Sequence, residues 1–133
     1  MTVTVLHGDC LEAMRGLDAA SVDACVCDPP YLLEFMGKSF DKQHKEMPGA
    51  NAGQKMHHWH LRWAVEAYRV LKPGGFIAAF GGDRTFHRLY SALEDAGFEP
   101  RHTVAWLHGQ GFPKSLNVSK QLDHVDWCEC DAD

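Results

Sequence analysis

This sequence lacks the features that indicate a membrane protein, a secreted protein, a repeat protein or a strongly basic nucleic-acid-binding protein. The 133 residues contain no apolar run near the ~20 residues that a transmembrane helix needs. The first residues lack a basic start followed by an apolar stretch, so we expect no signal peptide and no membrane association. Repeats and low-complexity tracts are absent. With a net charge of −5, the chain also lacks the basic excess typical of nucleic-acid-binding proteins, so any such contact must come from local patches.

Cysteine is present, but not in a pattern that indicates disulfides. The five cysteines are an odd number, and their spacing is not that of a secreted disulfide framework. We therefore expect a cytoplasmic protein, and we expect Cys25 and Cys27 to pack as small apolar residues on one side of a buried strand. The length suits one modest domain over 1–133, ending in a tail over 124–133.

Strand and helix patterns alternate along the chain. The predicted strands span 2–6, 21–27, 76–80 and 101–107. Asp9 and Glu12 form a capping-box pattern before a short helix, and apolar spacing predicts a second helix over 61–71 that ends at "KPGG". Thr85 is the expected cap of a third helix. Such alternation predicts an α/β domain with a mainly parallel sheet and helices on both faces.

A long polar segment interrupts this pattern over 32–58. Loops longer than about 12–15 residues are uncommon in compact domains without a functional reason. The segment ends in "MHHWH", which brings His57, His58 and His60 close together in sequence. Metal binding is one interpretation, but no matching acid stands nearby, so we expect no metal and predict a loop that enters a helix with Trp59 packed down.

The stretch "CVCDPPY" places an acid, two prolines and an aromatic ring at the end of a predicted strand. In open parallel sheets, ligands bind beyond the carboxyl ends of the strands. Pro29 and Pro30 have no N–H groups, so together with the Asp28 carboxylate they present acceptors without competing donors. Tyr31 adds a flat face for stacking. The four residues indicate a pocket for a planar ring with an exocyclic amino group, such as adenine or cytosine; the alternative is a rigid turn.

The wider sequence resembles a known family. The similarity lies in "HGDCLEAMRGL", "SVDACVCDPPY", "EAYRVLKPGGFIAAFGG" and "GFEPRHTVAWLHGQGFPKSLNVSKQLD". In order and spacing these segments are similar to the permuted amino-methyltransferases of DNA, notably phage and prophage members, over about 5–123. The resemblance implies a Rossmann-like fold that uses S-adenosylmethionine, and a place in DNA methylation and restriction–modification.

The resemblance also implies catalytic roles for the motif residues. Asp28 and the carbonyl of Pro29, with Pro30 beside them, would hold the target amino group, and Tyr31 would stack on a base flipped out of duplex DNA. An Asp in the first motif position favours adenine N6 as the target. The enzymes that methylate cytosine N4 more often carry Ser there, so cytosine is kept as the alternative.

For the cofactor, the resemblance implies a position near Asp9 and Cys10. These residues would lie by the adenine or ribose end of S-adenosylmethionine, and the region of Asp28 would lie by its methionine end. The family also carries a glycine motif of the F-x-G-x-G type, which turns under the methionine moiety, and a target-recognition segment. Neither is found in these 133 residues.

The missing motifs leave several interpretations open. The fold would be incomplete, and strand edges would be exposed, which is an aggregation hazard. The chain could be a fragment, one half of a split enzyme completed by a second chain, or an inactive remnant that serves as a binding or assembly module. Amino groups of RNA or protein are further substrates that a D-P-P-Y pocket would accept.

Overall fold

The computed structural model describes residues 2–32, 49–107 and 109. The chain divides into two compact units, residues 1–101 and 102–133. The first unit contains all the helices and strands given below. A single domain over the whole chain stays a prediction, and the predicted tail lies outside the described residues. No helix in the described part is long and apolar enough to cross a membrane.

Two parallel strands form the sheet of the first unit. β1 spans Val22–Cys27 and β2 spans Leu71–Ala79, and the pairing runs from Val22 opposite Leu71 to Cys27 opposite Ala79. Parallel neighbours need a crossover connection, which here contains a long helix. The prediction of an α/β fold with a parallel sheet is therefore confirmed.

The first helix, α1, spans Cys10–Arg15 and begins as the sequence predicts. The carboxylate of Asp9 accepts hydrogen bonds from the backbone N–H groups of Leu11 at 2.9 Å and Glu12 at 3.4 Å. These bonds satisfy two of the donors that a helix start leaves unpaired. The reciprocal half of the predicted capping box does not form, because the Glu12 side chain pairs with Arg15 at 2.7 Å instead.

The second helix, α2, spans Ala52–Val70 and starts well inside the predicted loop over 32–58. The loop prediction is wrong for 52–58, and residues 33–48 lie outside the described part of the chain. A capping box sets the start: the Asn51 side chain accepts from the Gln54 N–H, and the Gln54 side chain accepts from the Asn51 N–H, both at 2.9 Å.

β2 follows α2 without an intervening turn. The prediction that the strand begins at Phe76 is too short, since β2 begins at Leu71. Between the Val22–Leu71 and Ala24–Phe76 pairs, β2 carries three more residues than β1. The extra residues form an irregularity in which Gly74 has a φ of +80°, a conformation that favours glycine. "KPGG" is therefore a bulge within the strand rather than a separate helix stop.

The core lies between one face of the sheet and the helices. Trp63, Ala64 and Ala67 of α2 form a buried cluster with Leu89 of α3, the third helix, which spans Phe86–Asp95. Side chains from the sheet that pack on this cluster are Cys27, Ile77 and Ala79. α3 begins after Thr85 as predicted, but the Thr85 side chain makes no capping hydrogen bond.

The opposite face of the sheet is open. Val26 is 76% exposed and Phe76 is 74% exposed, although both belong to parallel strands. Parallel sheets are ordinarily covered on both faces. Within the described residues, the layers therefore consist of helices on one face only, and the prediction of helices on both faces is not met there.

Two predicted strands are not formed. Residues 2–6 and 101–107 are in no strand, and Val3 and Val5 are exposed. Their apolar alternation gives a tendency toward extended structure, but a strand also needs a neighbour for its backbone hydrogen bonds. In the described structure, β1 and β2 pair only with each other.

The three histidines of "MHHWH" lie inside α2 and differ in their surroundings, so the predicted loop at this point is wrong. His60 is only 3% exposed and accepts a hydrogen bond from the Trp63 indole N–H at 3.3 Å. His57 pairs with Asp95 at 2.9 Å, and His58 is exposed. In the described ranges, no group of three His, Cys, Asp or Glu residues is placed to hold a metal ion.

Burial sets the charge state of His60. Desolvation, assisted by nearby His57, lowers the pKa of His60 to about 4. The unfolded chain has an ordinary histidine pKa of about 6.5, so it binds a proton more readily than the folded chain between these values. The stability that neutral His60 provides is complete above about pH 6.5 and is lost as the pH falls toward about 4.

We predict that His60→Gln flattens the pH dependence of folding stability. Glutamine retains an acceptor for the Trp63 N–H but does not titrate. Between about pH 7.5 and about pH 4 the wild type should lose up to about 3 kcal/mol more stability than the variant. Urea unfolding at a series of pH values measures the difference. His58→Gln, at an exposed position of the same helix, is the control and should follow the wild type. Parallel curves for wild type and His60→Gln would contradict the assignment.

Candidate active site

The D-P-P-Y segment leaves the sheet at the carboxyl end of β1. The Phe80 N–H donates a hydrogen bond of 2.9 Å to the Cys27 carbonyl, which holds the ends of both strands together. Asp28 directly follows and is exposed, while Pro29 and Pro30 are half-buried. The sequence-based expectation of a motif beyond a strand end thus agrees with the fold. The backbone here offers the carbonyl oxygens of residues that have no N–H to donate.

The Tyr31 ring packs on the turn that follows β2. A Cβ added to Gly82 would lie 3.2 Å from Cδ2 of Tyr31, so the ring lies directly against the backbone of Gly82. The turn is fixed because the Gly82 carbonyl accepts from the N–H groups of Thr85 at 2.9 Å and Phe86 at 2.7 Å. Leu32, only 1% exposed and with a φ of +54°, anchors the chain after the ring. Gly82, on which the ring packs, was not among the candidate site residues expected from the sequence.

Asp28 and Tyr31 interact with each other. The pKa of the Tyr31 phenol is raised, first by burial, then by the negative charge of Asp28, and then by the hydrogen bond between the two side chains. Asp83, next to Gly82, raises it further. The structure therefore brings together a carboxylate and an aromatic ring, with a second acid close by. The hydrogen-bond acceptor of Asp28 and the stacking surface of Tyr31 therefore lie beside each other.

Asp9 and Cys10 line a different cavity. This cavity has a volume of about 250 Å³, and its wall also includes Trp59, Arg62 and Trp63 of α2. Burial and the neighbouring Asp9 charge raise the pKa of the Cys10 thiol. The two tryptophans and Arg62 line this cavity and were not among the candidate site residues expected from the sequence.

Asp28 does not line the cavity at Asp9, although its charge and that of Cys10 both affect the pKa of Cys27. The pKa of Cys27 is raised chiefly by its hydrogen bond with Cys25, then by burial, and in smaller part by the charges of Asp28 and Cys10. The predicted site residues therefore fall into two groups. One group follows β1 and the other begins α1.

The cavity at Asp9 suits part of S-adenosylmethionine. Indole faces stack on planar rings, and a carboxylate that already caps a helix still has lone pairs free to accept from ribose hydroxyls. The volume of about 250 Å³ is below the roughly 300–1,000 Å³ of sites that enclose whole ligands. The residues present fit the adenosine end of the cofactor, and a complete enclosure needs more protein than the described residues supply.

Comparison with known proteins gives a consistent result. The N6/N4 methyltransferase family, described as DNA methylase, matches residues 22–131. The type II methyltransferase M.HpaI of Haemophilus parainfluenzae is 29% identical over 94% of this chain and 38% of its own length. The putative methylase YubD of Escherichia coli K12 is 33% identical over 70% of this chain and 37% of its own. The type II methyltransferase M.HinfI of Haemophilus influenzae is 26% identical over 77% of this chain and 31% of its own length. The chain thus spans only about a third of the length of these relatives.

The contact between Asp28 and Tyr31 can be tested in the protein alone. We predict that Asp28→Asn lowers the pKa of Tyr31 toward its ordinary value, because the change removes both the charge and the charged hydrogen-bond acceptor. NMR of isotope-labelled tyrosine during a pH titration measures this, and Tyr31→Phe assigns the resonance. Asp83→Asn should have a smaller effect. An unchanged Tyr31 titration in Asp28→Asn would show that the two side chains do not interact.

Proposed function

Since the chain belongs to the N6/N4 DNA methylase family, we propose that it forms the part of a DNA methyltransferase that holds the target amino group. The observation that carries this proposal is the placement of Asp28 and Tyr31 in contact at the carboxyl end of β1. This edge of a parallel sheet is where ligands bind. The full reaction proposed is methyl transfer from S-adenosylmethionine to adenine N6 in DNA.

The chemistry assigned to the motif is recognition of an NH2 group. An adenine amino group would donate its hydrogens to the Asp28 carboxylate and to the Pro29 carbonyl, and Pro30 keeps this backbone free of a competing N–H. Donating both hydrogens directs the nitrogen lone pair away from the ring and toward the methyl group. The carboxylate is thus used where positive charge develops on the nitrogen, so its contribution belongs to the transition state.

The base must leave the duplex before its amino group can reach Asp28, because paired bases are stacked within the helix. In the proposal, Tyr31 stacks on the flipped base. Its ring is supported from below by Gly82, and its hydroxyl is held by Asp28. A ring supported on one side and restrained at its tip is ready to receive a base with little loss of conformational entropy.

Adenine is the proposed target, and cytosine N4 is the second candidate. Both rings carry an exocyclic amino group, so the acceptors at Asp28 suit either one. Adenine is preferred because the motif begins with Asp rather than Ser, which is an argument from the resemblance.

S-adenosylmethionine supplies an electrophilic methyl group when bound, and this chain's residues would hold it at one end. Asp9 would accept hydrogen bonds from the ribose, and the half-buried Trp59 would flank the adenine. Cys10 lies at the first turn of α1 beside them. The Asp28 end of the site would lie toward the methyl group.

Because the chain spans only about a third of the length of these relatives, we assign it only part of the enzyme's function. The remaining residues of the enzyme, including the glycine motif and the target-recognition segment, would come from further sequence of the same protein or from a second chain. The complete enzyme would act on cytoplasmic DNA, within restriction–modification or a phage genome. The alternative is a remnant that binds or assembles without methylating DNA. The open apolar face at Val26 and Phe76 is equally compatible with this alternative and with a split enzyme, since a partner would cover it in either case.

We predict that the chain by itself binds S-adenosylmethionine more weakly than about 10 μM, or about −7 kcal/mol. The physical reason is that the cavity at Asp9 encloses only the adenosine end, and no F-x-G-x-G loop is present to hold the methionine end. Isothermal calorimetry measures the affinity, with adenosine as a matched ligand. Adenosine should bind to the chain nearly as tightly as the whole cofactor does. Tight binding of the cofactor alone would show that the site is complete in this chain.

A chimera tests the methyl transfer itself. This chain would replace the matching region of M.HpaI, so that the rest of that enzyme supplies the missing parts. We expect methylation of duplex DNA and N6-methyladenine in the hydrolysed product. Asp28→Ala in the chimera should reduce turnover by at least about 10-fold, because one charge-assisted hydrogen bond is worth about 1.5–3 kcal/mol. Cofactor affinity should change far less.

Two substitutions at Tyr31 serve as a matched pair in the same chimera. Tyr31→Phe retains the ring and should be mild, while Tyr31→Ala should weaken capture of the flipped base by about 1–3 kcal/mol. Radiolabelled methyl incorporation measures all variants. Full turnover of Asp28→Ala would place the amino-group site elsewhere, and N4-methylcytosine as product would replace the adenine assignment with the second candidate.

A further inference from the structure

Arg69, in the last turn of α2, holds the end of α1. Its half-buried guanidinium donates through all three nitrogens: Nη2 to the Met14 carbonyl at 2.8 Å, Nη1 to the Leu17 carbonyl at 3.0 Å, and Nε to the Glu66 carboxylate at 2.8 Å. The last carbonyls of a helix have no partner within that helix, and a cation beside them interacts favourably with the helix dipole. Arg69 therefore caps α1 from a different helix.

The same end of α2 also fixes the chain between α1 and β1. The Ala20 N–H donates to the Arg69 carbonyl at 3.0 Å, and the Ser21 N–H donates to the Val70 carbonyl at 2.9 Å. Residue 69 thus binds the segment that follows α1 through both its side chain and its backbone. A change of the side chain leaves the backbone bonds in place, so it should affect α1 more than it affects β1.

α1 has few other means of keeping its position. It has only six residues, and none of them is fully buried. Isolated helices shorter than about 12–15 residues are marginal in water, and most helical stability in proteins comes from packing. Leu11 and Met14 contact the core as partly buried side chains. The hydrogen bonds with Asp9 at the start of α1 and with Arg69 at its end are therefore important for its placement.

α1 and α2 form two walls of the cavity at Asp9. Asp9 and Glu12 belong to the start of α1, and Trp59 and Arg62 belong to α2. Arg62 and Arg69 are seven residues apart, or about two turns, so they project from one side of α2 about 10.5 Å apart along its axis. The cavity and the Arg69 contact thus lie along the same boundary between the two helices. A shift of α1 against α2 would change the width of the cavity.

We propose that Arg69 is a positioning residue that sets the width of the cavity at Asp9 and thereby its affinity for a nucleoside. Arg69 is not among the residues that line the cavity, so it acts through α1. By holding the end of α1, it keeps the Asp9 carboxylate at the distance from Trp59 at which one ligand contacts both. That the ligand is the adenosine end of S-adenosylmethionine rests on the function proposed above.

Adenosine binding by the full chain tests the proposal. Arg69→Met retains an apolar side chain but removes every donor. We expect the affinity for adenosine to fall by about 10-fold or more, since one hydrogen bond made by a charged group corresponds to at least about a tenfold change in an equilibrium constant. Isothermal calorimetry measures the affinity, and urea unfolding establishes the temperature at which both proteins are fully folded.

A control variant separates positioning from a general loss of stability. Tyr68→Leu changes the neighbouring residue of α2, whose ring packs edge-on against Phe98 with the centroids 5.2 Å apart and does not line the cavity. This variant should be less stable than the wild type but should bind adenosine equally well. A matching loss of affinity in Tyr68→Leu would show that the effect of Arg69 is one of stability alone.

Two further variants test the geometry of the guanidinium and keep the proposal testable if Arg69→Met fails to fold. Arg69→Lys retains the charge but lacks the planar fork of donors, so its affinity for adenosine should lie between those of the wild type and Arg69→Met. Arg69→Ala leaves room for a free guanidinium ion. Guanidinium chloride at millimolar concentration should restore adenosine binding to Arg69→Ala, and sodium chloride at the same concentration should not.

Hydrogen exchange without ligand reports on the contact itself. In Arg69→Met, the amides of Gly16 and Leu17, which close the end of α1, should exchange faster than in the wild type. The amide of Phe80, which joins the ends of the two strands, should exchange as before. Unchanged exchange at Gly16 and Leu17 would show that Arg69 does not hold α1.

Failure of this inference and failure of the proposed function give different results. If the wild type does not bind adenosine, the cofactor site is rejected, and the positioning role falls with it. If the wild type binds adenosine and Arg69→Met binds it equally well, the cofactor site stands and the role of Arg69 is rejected. In the M.HpaI chimera, Arg69→Met should raise KM for the cofactor with kcat nearly unchanged, because the contact serves binding. A lower kcat at unchanged KM would overturn the proposal.

Discussion

The hydrogen bond from the Phe80 N–H to the Cys27 carbonyl is the interaction on which the candidate site depends. It extends the parallel pairing of β1 and β2 to the point where both strands end. Because the strand ends are held together, the segment after β1 and the turn after β2 emerge beside each other. Tyr31 can then pack on Gly82, and Asp28 can accept from Tyr31. The contact between Tyr31 and Gly82 would not follow from the motif's own conformation.

Local signals in the sequence predicted those elements that depend on local chemistry. β1 was predictable because it is a nearly continuous apolar run, and the start of α1 was predictable because Asp9 is a strong N-cap. The start of α2 was missed although its signal is also local: Asn51 followed by Gln54 is a capping box, hidden in a segment interpreted as polar loop. The class of fold followed from alternation alone.

Most of the other errors concern relations between distant residues. The apolar segments over 2–6 and 101–107 have the composition of strands, but a strand exists only where another backbone accepts its hydrogen bonds, and composition does not contain that information. The same limit applies at the site. Asp28 and Tyr31 could be predicted to lie together because they are adjacent in sequence, whereas the support from Gly82 joins residues far apart in the chain. Similarly, the tryptophans beside Asp9 belong to a helix whose orientation only the packed core defines.

The pairing of Val22 with Leu71 has a consequence for how the chain acquires its structure. The two strands are separated in sequence by the whole of α2, so their pairing requires a long loop to close, and this closure costs chain entropy. α2 can form early from its own capping and apolar spacing. On the ribosome, β1 is made before β2, so it has no partner strand until β2 has also left the exit tunnel. The chain is then at its most vulnerable to association with other nascent chains, and a chaperone that covers β1 during translation would raise the yield of folded protein.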